Sequence, residues 1–409
     1  MHSLKKGLFT GFLFFLILIL AACGNDDAGS DGGSTAETDS GTSGGSAEAS
    51  GGEITIGYSG PLSGPAATYG EETLKGLTLA AEDINNEGGF EVDGQTYTLN
   101  ISTLDDKYLP NETAANALRL VQEEDVKFIY SPHSGGIYAM QVFNEMEDFV
   151  IMGYTSEPGV TAEGNELNVR IPPRYDQYLE PFTDYQMERF GERIAFLPTA
   201  SQYGKDWAEA LQPVWEENGG EVVFNESIDF SKDTDFQTIV SNALQQNPDV
   251  LFIGGPSEPT ALVAKQARDL GFEGGFLIMD QAKLDEMAAV LGGGYDMLEG
   301  AISTTPLVNS DFPGTDAFVE RYKENNDRDP SAESGFHYVS LYILAEAMNL
   351  AGSVDDTEAI MASLDQAAQN LPEEKQVYVI PGVGEDGGFG SLLRIAYIED
   401  GELQVMEED

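Results

Sequence analysis

The chain has 409 residues, 71 of them acidic against 20 Lys and Arg, for a formal net charge of −51. A surface this negative repels nucleic-acid phosphates and anionic lipid headgroups, so nucleic acid is not expected as a partner. Apolar residues at 41% exclude global disorder, the length points to two domains, and three His with one Cys leave no material for Cys/His metal sites or a disulfide scaffold.

The chain opens with Lys5 and Lys6, an apolar run from Leu8 to Leu20, and then Ala21, Ala22 and Cys23. That run is short for a bilayer span and fits the apolar region of a signal peptide. The only Cys directly follows the small-residue cleavage site. Residues 1–22 therefore read as a lipoprotein signal peptide, with Cys23 as the lipidated residue of a membrane-anchored protein. A plain secretory signal and a retained anchor are the alternatives. From 24 to 52 the chain holds only Gly, Ser, Thr, Asp, Glu, Asn and Ala. Such a stretch cannot offset its ordering entropy by burial, so residues 23–52 read as a flexible acidic linker.

Beyond the linker, strands and helices alternate. Glu53 to Tyr58 predicts a strand, Glu71 to Asn86 a helix ended by Gly88 and Gly89, and Thr96 to Leu104 a strand that stops at Asp105 and Asp106. Asn111 to Glu123 reads as helix, Phe128 to Tyr130 as strand, Ile137 to Met146 as helix and Val150 to Gly153 as strand. After a break at Arg170 to Asp176 the pattern restarts. Helices are expected at Tyr178–Met187, Lys205–Glu217, Phe236–Gln246 (capped by Asp235), Thr260–Leu270 and Leu284–Leu291. Between them, strands are expected at Arg193–Leu197, Glu221–Ile228, Val250–Ile253, Gly275–Met279 and Gly300–Thr304. Three more helices follow at Asp316–Asn325, Phe336–Leu350 and Thr357–Ala368. The tail reads as a hairpin, Leu392–Glu399 and Glu402–Val405, turning at Asp400-Gly401. This order implies an α/β fold of two doubly wound lobes, with ligands beyond the carboxyl ends of the strands and a cleft between the lobes.

From Glu53 to about Val405 the chain resembles the substrate-binding proteins of branched-chain amino acid ABC transporters. The matching residues begin with Ile54-Thr55-Ile56-Gly57-Tyr58-Ser59-Gly60-Pro61-Leu62-Ser63-Gly64-Pro65, then Tyr69-Gly70-Glu71 and Ala81-Glu82-Asp83-Ile84-Asn85. They continue with Tyr203-Gly204, Thr234-Asp235-Phe236, Pro248-Asp249-Val250, Gly254-Gly255 and Gln266-Ala267-Arg268-Asp269-Leu270-Gly271. The resemblance implies a type I periplasmic binding fold, two lobes joined by three crossings of the chain. Lobe 1 would comprise 53–172 and 304–379, and lobe 2 would comprise 173–303 and 380–409. It also implies a protein that binds a small solute, acts as a monomer, uses no cofactor, and docks on the permease of an ABC importer outside the cytoplasm.

The same resemblance implies the site. Ser134, Thr155 and Ser156 match the positions that hold an amino acid carboxylate, through hydroxyls and free N–H groups near helix starts. Tyr203 matches an aromatic that closes over the ligand, and Asp280 an acid that pairs with its ammonium. Tyr69 and Tyr154 would add aromatic walls on the first lobe. Ser257, with Glu258, stands where relatives often carry an aromatic. At the first crossing relatives often read Arg, Thr, any, Pro, any, Asp. Here the run is Arg170-Ile171-Pro172-Pro173-Arg174-Tyr175-Asp176, so Tyr175 takes the Asp position unless Asp176 shifts into it.

Catalytic readings find little support. His133 lies near Ser134 without a motif, His337 begins an apolar helix, and Gly254-Gly255 lacks the Lys of a phosphate loop. The stretch Gly382 to Gly390, with Glu385 and Asp386, lacks the ligand ladder of a Ca²⁺ loop and reads as a mobile surface turn. The chain is therefore expected to be a binding protein, not an enzyme, with no catalytic or metal site. Its ligand would be a branched-chain or related amino acid, with amides, urea or another small polar solute as alternatives. A solute sensor is the other functional class. The acidity fits a halophilic external protein whose surface repulsion is screened by salt.

Overall fold

The computed structural model describes residues 50–406 apart from 163 and 234. The expected signal peptide, Cys23 and most of the linker lie outside the described residues, as does Thr234 of the matching runs.

The first lobe is β1 (Gly52–Gly60), α1 (Ala67–Asn86), β2 (Phe90–Val92), β3 (Gln95–Asp105), α2 (Pro110–Glu124), β4 (Phe128–Ser131), α3 (Ser134–Gln141), α4 (Asn144–Glu147), β5 (Val150–Gly153), α5 (Gly159–Ala162) and β6 (Asn168–Arg170). Its six strands lie in the order β2-β3-β1-β4-β5-β6, all parallel except β2. Three elements depart from expectation. The helix expected from Ile137 to Met146 is two helices, α3 and α4, that part at Val142 and Phe143. Strand β2 was not foreseen, although Asp93 and Gly94 are both left-handed and form the same type of hairpin turn read at Asp400-Gly401. Strand β6 was also missed, because Asn168-Val169-Arg170 is three residues long and two of them are polar, yet all three are buried.

The second lobe is α6 (Leu179–Arg189), β7 (Arg193–Pro198), α7 (Gln202–Glu217), β8 (Glu221–Asn225), α8 (Gln237–Leu244), β9 (Val250–Gly254), α9 (Ser257–Asp269), β10 (Gly275–Ile278), α10 (Leu284–Val290) and β11 (Ala301–Thr304). The chain then forms α11 (Thr315–Lys323), α12 (Ala332–Ala351), α13 (Thr357–Asn370), a short hairpin β12 (Gly382–Val383) and β13 (Phe389–Gly390), and finally β14 (Ile395–Glu399) and β15 (Glu402–Val405). The second sheet runs β15-β14-β11-β10-β9-β7-β8. Its parallel part repeats the strand order of the first lobe, and β14 and β15 extend it antiparallel. The expected Asp-Gly hairpin is present, with Asp400 and Gly401 both left-handed.

Alternation within the strands separates the apolar residues onto two faces. In β9, Val250 and Phe252 pack into one core with Trp207 and Trp215, while Leu251 and Ile253 pack into the other with Phe236 and Met287. A parallel sheet covered by helices on both sides requires this double burial. The first lobe gains its largest cover late in the chain. Helix α12 is buried around most of its circumference and lies against α1. The contact is backbone to backbone at Gly76, where an added Cβ would meet the carbonyl oxygen of Ser334 at 2.0 Å.

The crossing segments are tied to one another. The Thr305 amide donates to the Arg394 carbonyl at 3.0 Å. Arg170, 2% exposed, donates to the carbonyl of Pro172 at 2.6 Å and to the Asp386 carboxylate at 2.5 Å. Gly388 pairs with Arg170 in an isolated parallel bridge. The Gly382–Gly390 stretch, read as a mobile surface turn, is therefore a hairpin held by a buried guanidinium, and its Asp386 is engaged as the counter-ion.

Gly76→Ala should destabilise the protein by about 3 kcal/mol, because α1 and α12 must separate to admit the methyl group. Urea unfolding should show a lower midpoint with an unchanged slope. An unaltered midpoint would show that the helices can shift freely.

Candidate functional site

The carboxyl ends of both parallel sheets face one space, and the residues that follow the strands fill it. After β3, Asp106 is fully buried and accepts from Thr113 Oγ1 at 2.9 Å and from the Tyr108 amide at 2.9 Å. After β4, His133 Nδ1 accepts from the Gly136 amide at 3.0 Å and caps α3. That bond puts the ring proton on Nε2, which lies 2.9 Å from Asp106 Oδ2 and donates to it. Lys107 and Tyr108 are both left-handed, at φ 56° and 64°. Two successive non-glycine residues in that region are strained, and bonds from the Lys107 amide to Asp105 Oδ1 and from the Tyr108 amide to Asp106 Oδ1, both 2.9 Å, hold them there. The Tyr108 ring rests on His133 at 4.8 Å, and its hydroxyl reaches Gln281 Nε2 of the other lobe at 3.0 Å.

Ser134 Oγ and Thr155 Oγ1 are 2.8 Å apart. Ser156 Oγ lies 2.7 Å from Tyr203 Oη across the lobes. Tyr203 donates its one proton to Asp280 Oδ1, so Ser156 must donate to Tyr203. Trp207 Nε1 closes the set, 3.0 Å from Tyr203 Oη and 3.1 Å from Asp280 Oδ1. Burial, and then the Asp280 charge, raise the Tyr203 hydroxyl well above its usual pKa, so it stays a donor.

A second bridge is ionic. Lys283 Nζ lies 2.9 Å from Glu333 Oε1, the two side chains 5% and 2% exposed, and it also donates to the carbonyls of Asp280 and Gln281. Burial pulls the Lys283 ammonium down, but the Glu333 and Asp280 charges outweigh it and hold it above the usual lysine value. Beneath this pair, burial and then the Glu333 charge push Glu286 up to about 8, and burial pushes Asp285 up to about 6. Behind Glu333, His337 Nδ1 donates to its carbonyl at 2.7 Å, and burial lowers that imidazole to about 4, so it is neutral.

The inner cleft is closed to about 30 Å³. It opens into an outer cavity of about 460 Å³ that shares Tyr108, His133, Ser134 and Tyr203 with it. Seven of the residues expected from sequence line the inner cleft: Tyr69, Ser134, Tyr154, Thr155, Ser156, Tyr203 and Asp280. Ser257 stands outside that lining. It donates to Glu286 Oε2 at 2.5 Å and accepts from the Lys283 amide at 3.0 Å, so it supports the loop that carries Lys283. Neither Tyr175 nor Asp176 is among the lining residues. Asp176 accepts from Arg174 Nε at 3.0 Å, and Tyr175 stacks on Trp207 at 5.0 Å. The reading missed Tyr108, His133, Gln281, Lys283 and Glu333. Lys283 carried a usable signal: one of only 20 bases, three residues beyond Asp280. Glu333 carried none among 71 acids. Among the described residues no group of three or more His, Cys, Asp and Glu is placed to hold a metal ion.

Outside the inner cleft a pair of acids meets across the lobes. Glu157, after β5, and Asp206, on α7, line one groove with Tyr175 and Glu209, and Glu157 Oε1 accepts from the Gly159 amide at 3.0 Å. Burial, with the Asp206 charge, pushes Glu157 up to about 7, and burial also raises Asp206.

Comparison with known proteins places these features. The family model described as "Periplasmic binding protein" matches residues 53–400. The Leu/Ile/Val-binding protein BraC3 of Rhizobium johnstonii is 26% identical over 316 residues, covering 76% of this chain and 83% of that protein. The crystal structure of a leucine-binding protein, LivK, from Thermotoga maritima superposes with a TM-score of 0.74 at 23% identity, over 87% of this chain and 98% of that one. A branched-chain amino acid transporter substrate-binding protein, LivJ, from Streptococcus pneumoniae, solved with isoleucine, gives 0.73 at 21% identity, over 87% and 99%. At these identities the two structures establish the fold.

A carboxyl whose native pKa lies above its free value binds its proton more tightly when folded. The Glu157 contribution is therefore complete below its ordinary value of 4.5 and is lost as pH rises toward about 7. Glu157→Gln should flatten this part of the pH profile and stabilise the protein at about pH 8 by roughly 1–2 kcal/mol, allowing for solvent screening. Parallel pH profiles of unfolding for wild type and variant would show that the pair is not protonated.

Proposed function

This chain belongs to the periplasmic binding protein family, and on that footing we propose that it captures a small amino acid, branched-chain or related, between its lobes. It is an ABC-importer substrate-binding protein, and an extracytoplasmic location fits the family. The observation that carries the ligand reading is the Ser156–Tyr203–Asp280 relay. It joins the lobes through groups suited to an amino acid backbone. Ser134 and Thr155, beside the amino-terminal end of α3, supply hydroxyls for a carboxylate. Asp280 supplies a counter-charge for an ammonium in a cleft shielded from water. A ligand touching both lobes favours the closed form by its differential affinity, and the closed form is what a permease would read.

The same proposal holds that Cys23 carries the lipid anchor, that residues 23–52 are its tether, and that the protein works as a monomer. The division of the chain between lobes at 172, 303 and 379 belongs to the same reading. Support for the anchor is the leader sequence and the single Cys.

Isothermal titration against a panel of amino acids tests the reading. At least one amino acid should bind. Asp280→Ala should weaken it by about 100-fold, and Ser156→Ala by about tenfold, as expected for a charge-assisted bond and a neutral one. Undiminished affinity in Asp280→Ala, or no binding by any amino acid, would overturn it.

The net charge of −51 adds a second expectation. Screening of like surface charges should raise the melting temperature between low salt and about 1 M NaCl. A melting temperature that falls or stays level would count against a halophilic origin for the acidity.

A further inference from the structure

Two acceptor atoms in the inner cleft have no partner. Glu333 Oε2 and Gln281 Oε1 are both buried, and neither accepts a hydrogen bond among the described residues. Glu333 Oε1 also accepts no hydrogen bond but is in ion-pair contact with Lys283 at 2.9 Å, and Gln281 Nε2 donates to Tyr108. The two residues come from opposite lobes, Glu333 from the start of α12 and Gln281 from the loop after β10, and both line the inner cleft. A buried acceptor without a donor is destabilising, and native proteins leave few of them. Here two belong to residues that line the cleft where the proposed ligand would sit.

We propose that Glu333 and Gln281 form a side-chain subsite for a neutral –NH₂ group, so that the ligand is an amino acid ending in a carboxamide or ureido group rather than a branched aliphatic one. This deepens the reading above and rests on it. Charge decides for neutrality. The cleft holds two acids, Asp280 and Glu333, and one base, Lys283. The ligand ammonium balances Asp280, and Lys283 already balances Glu333 at 2.9 Å. A second cation would have to displace Lys283, whose ammonium is also held by two carbonyls. An uncharged –NH₂ carries two donors for two acceptors and leaves the ion pair intact. A methyl group in the same place would seal both oxygens from water with nothing to bind. Sites with such acceptors discriminate strongly against analogues lacking the donor.

The test is isothermal titration of the full chain with glutamine, asparagine and citrulline, set against leucine, isoleucine, valine and lysine. The amide and ureido ligands should bind at least about tenfold tighter than the aliphatic ones. Gln281→Leu should reduce that ratio, and Glu333→Gln, which keeps the shape of the side chain, provides a second variant should the first fail to fold. Asp280→Ala should weaken every amino acid and leave the ratio in place. Aliphatic ligands binding as tightly as amides, lysine binding tightest, or an unchanged ratio in both subsite variants would overturn the subsite and leave the amino acid reading standing. No binding by any amino acid would overturn both.

Discussion

Parallel strands end on one edge of their sheet, and that constraint organises the rest of this molecule. Each lobe is wound on the same strand order, and each presents the residues just after its strands to the other lobe. Asp106 and Tyr108 follow β3, His133 and Ser134 follow β4, Thr155 and Ser156 follow β5, Tyr203 follows β7, and Asp280 follows β10. Residues far apart in sequence meet because they share one structural position. The apolar strands fix that position by burial on both faces, so the polar loops are placed without having to fold themselves.

The closed cleft is held by polar contacts of two kinds. The Ser156–Tyr203–Asp280 relay is neutral at one end and charged at the other, and Trp207 fixes its direction. The Lys283–Glu333 pair is buried, and a buried ion pair is weak evidence for stability because desolvation opposes the attraction. What it supplies is position: an ammonium held by two carbonyls of one lobe and one carboxylate of the other defines a single closed geometry. Near it, Glu286 and Asp285 titrate well above ordinary acids. The cleft is thus polar, bridged by partnered groups from both lobes, and short of donors for its remaining acceptors.

The crossings are tied at Arg170, whose guanidinium binds Pro172 and Asp386. This explains the Gly-rich hairpin at 382–390. Gly388 approaches the guanidinium so closely that a Cβ would meet Arg170 Nη2 at 2.0 Å, and only glycine fits there. A composition that resembled a loose turn is a close approach of backbone to a buried charge.

The sequence by itself determined the alternation of elements, the two lobes and most of the cleft. Apolar runs such as Val250–Ile253 and Phe276–Met279 are bounded by turn residues, and the residue after a buried strand must fall at the carboxyl edge. Asp280 and Ser134 were legible as cleft residues for that reason, and resemblance supplied the roles proposed for them. Short elements were not legible: β6 has one apolar residue in three, and Val142 with Phe143 hid the break between α3 and α4. Tertiary structure alone decided the partners. Ser257 was expected in the cleft but turns to Glu286, because α9 starts there and its hydroxyl is used to hold the Lys283 loop. Asp176 was open as a ligand contact but is held by Arg174. Glu333 enters the cleft only because α12 returns from the second lobe and packs on α1 at Gly76, a contact between segments more than 250 residues apart. No local pattern encodes which acid among 71 such a return will bury.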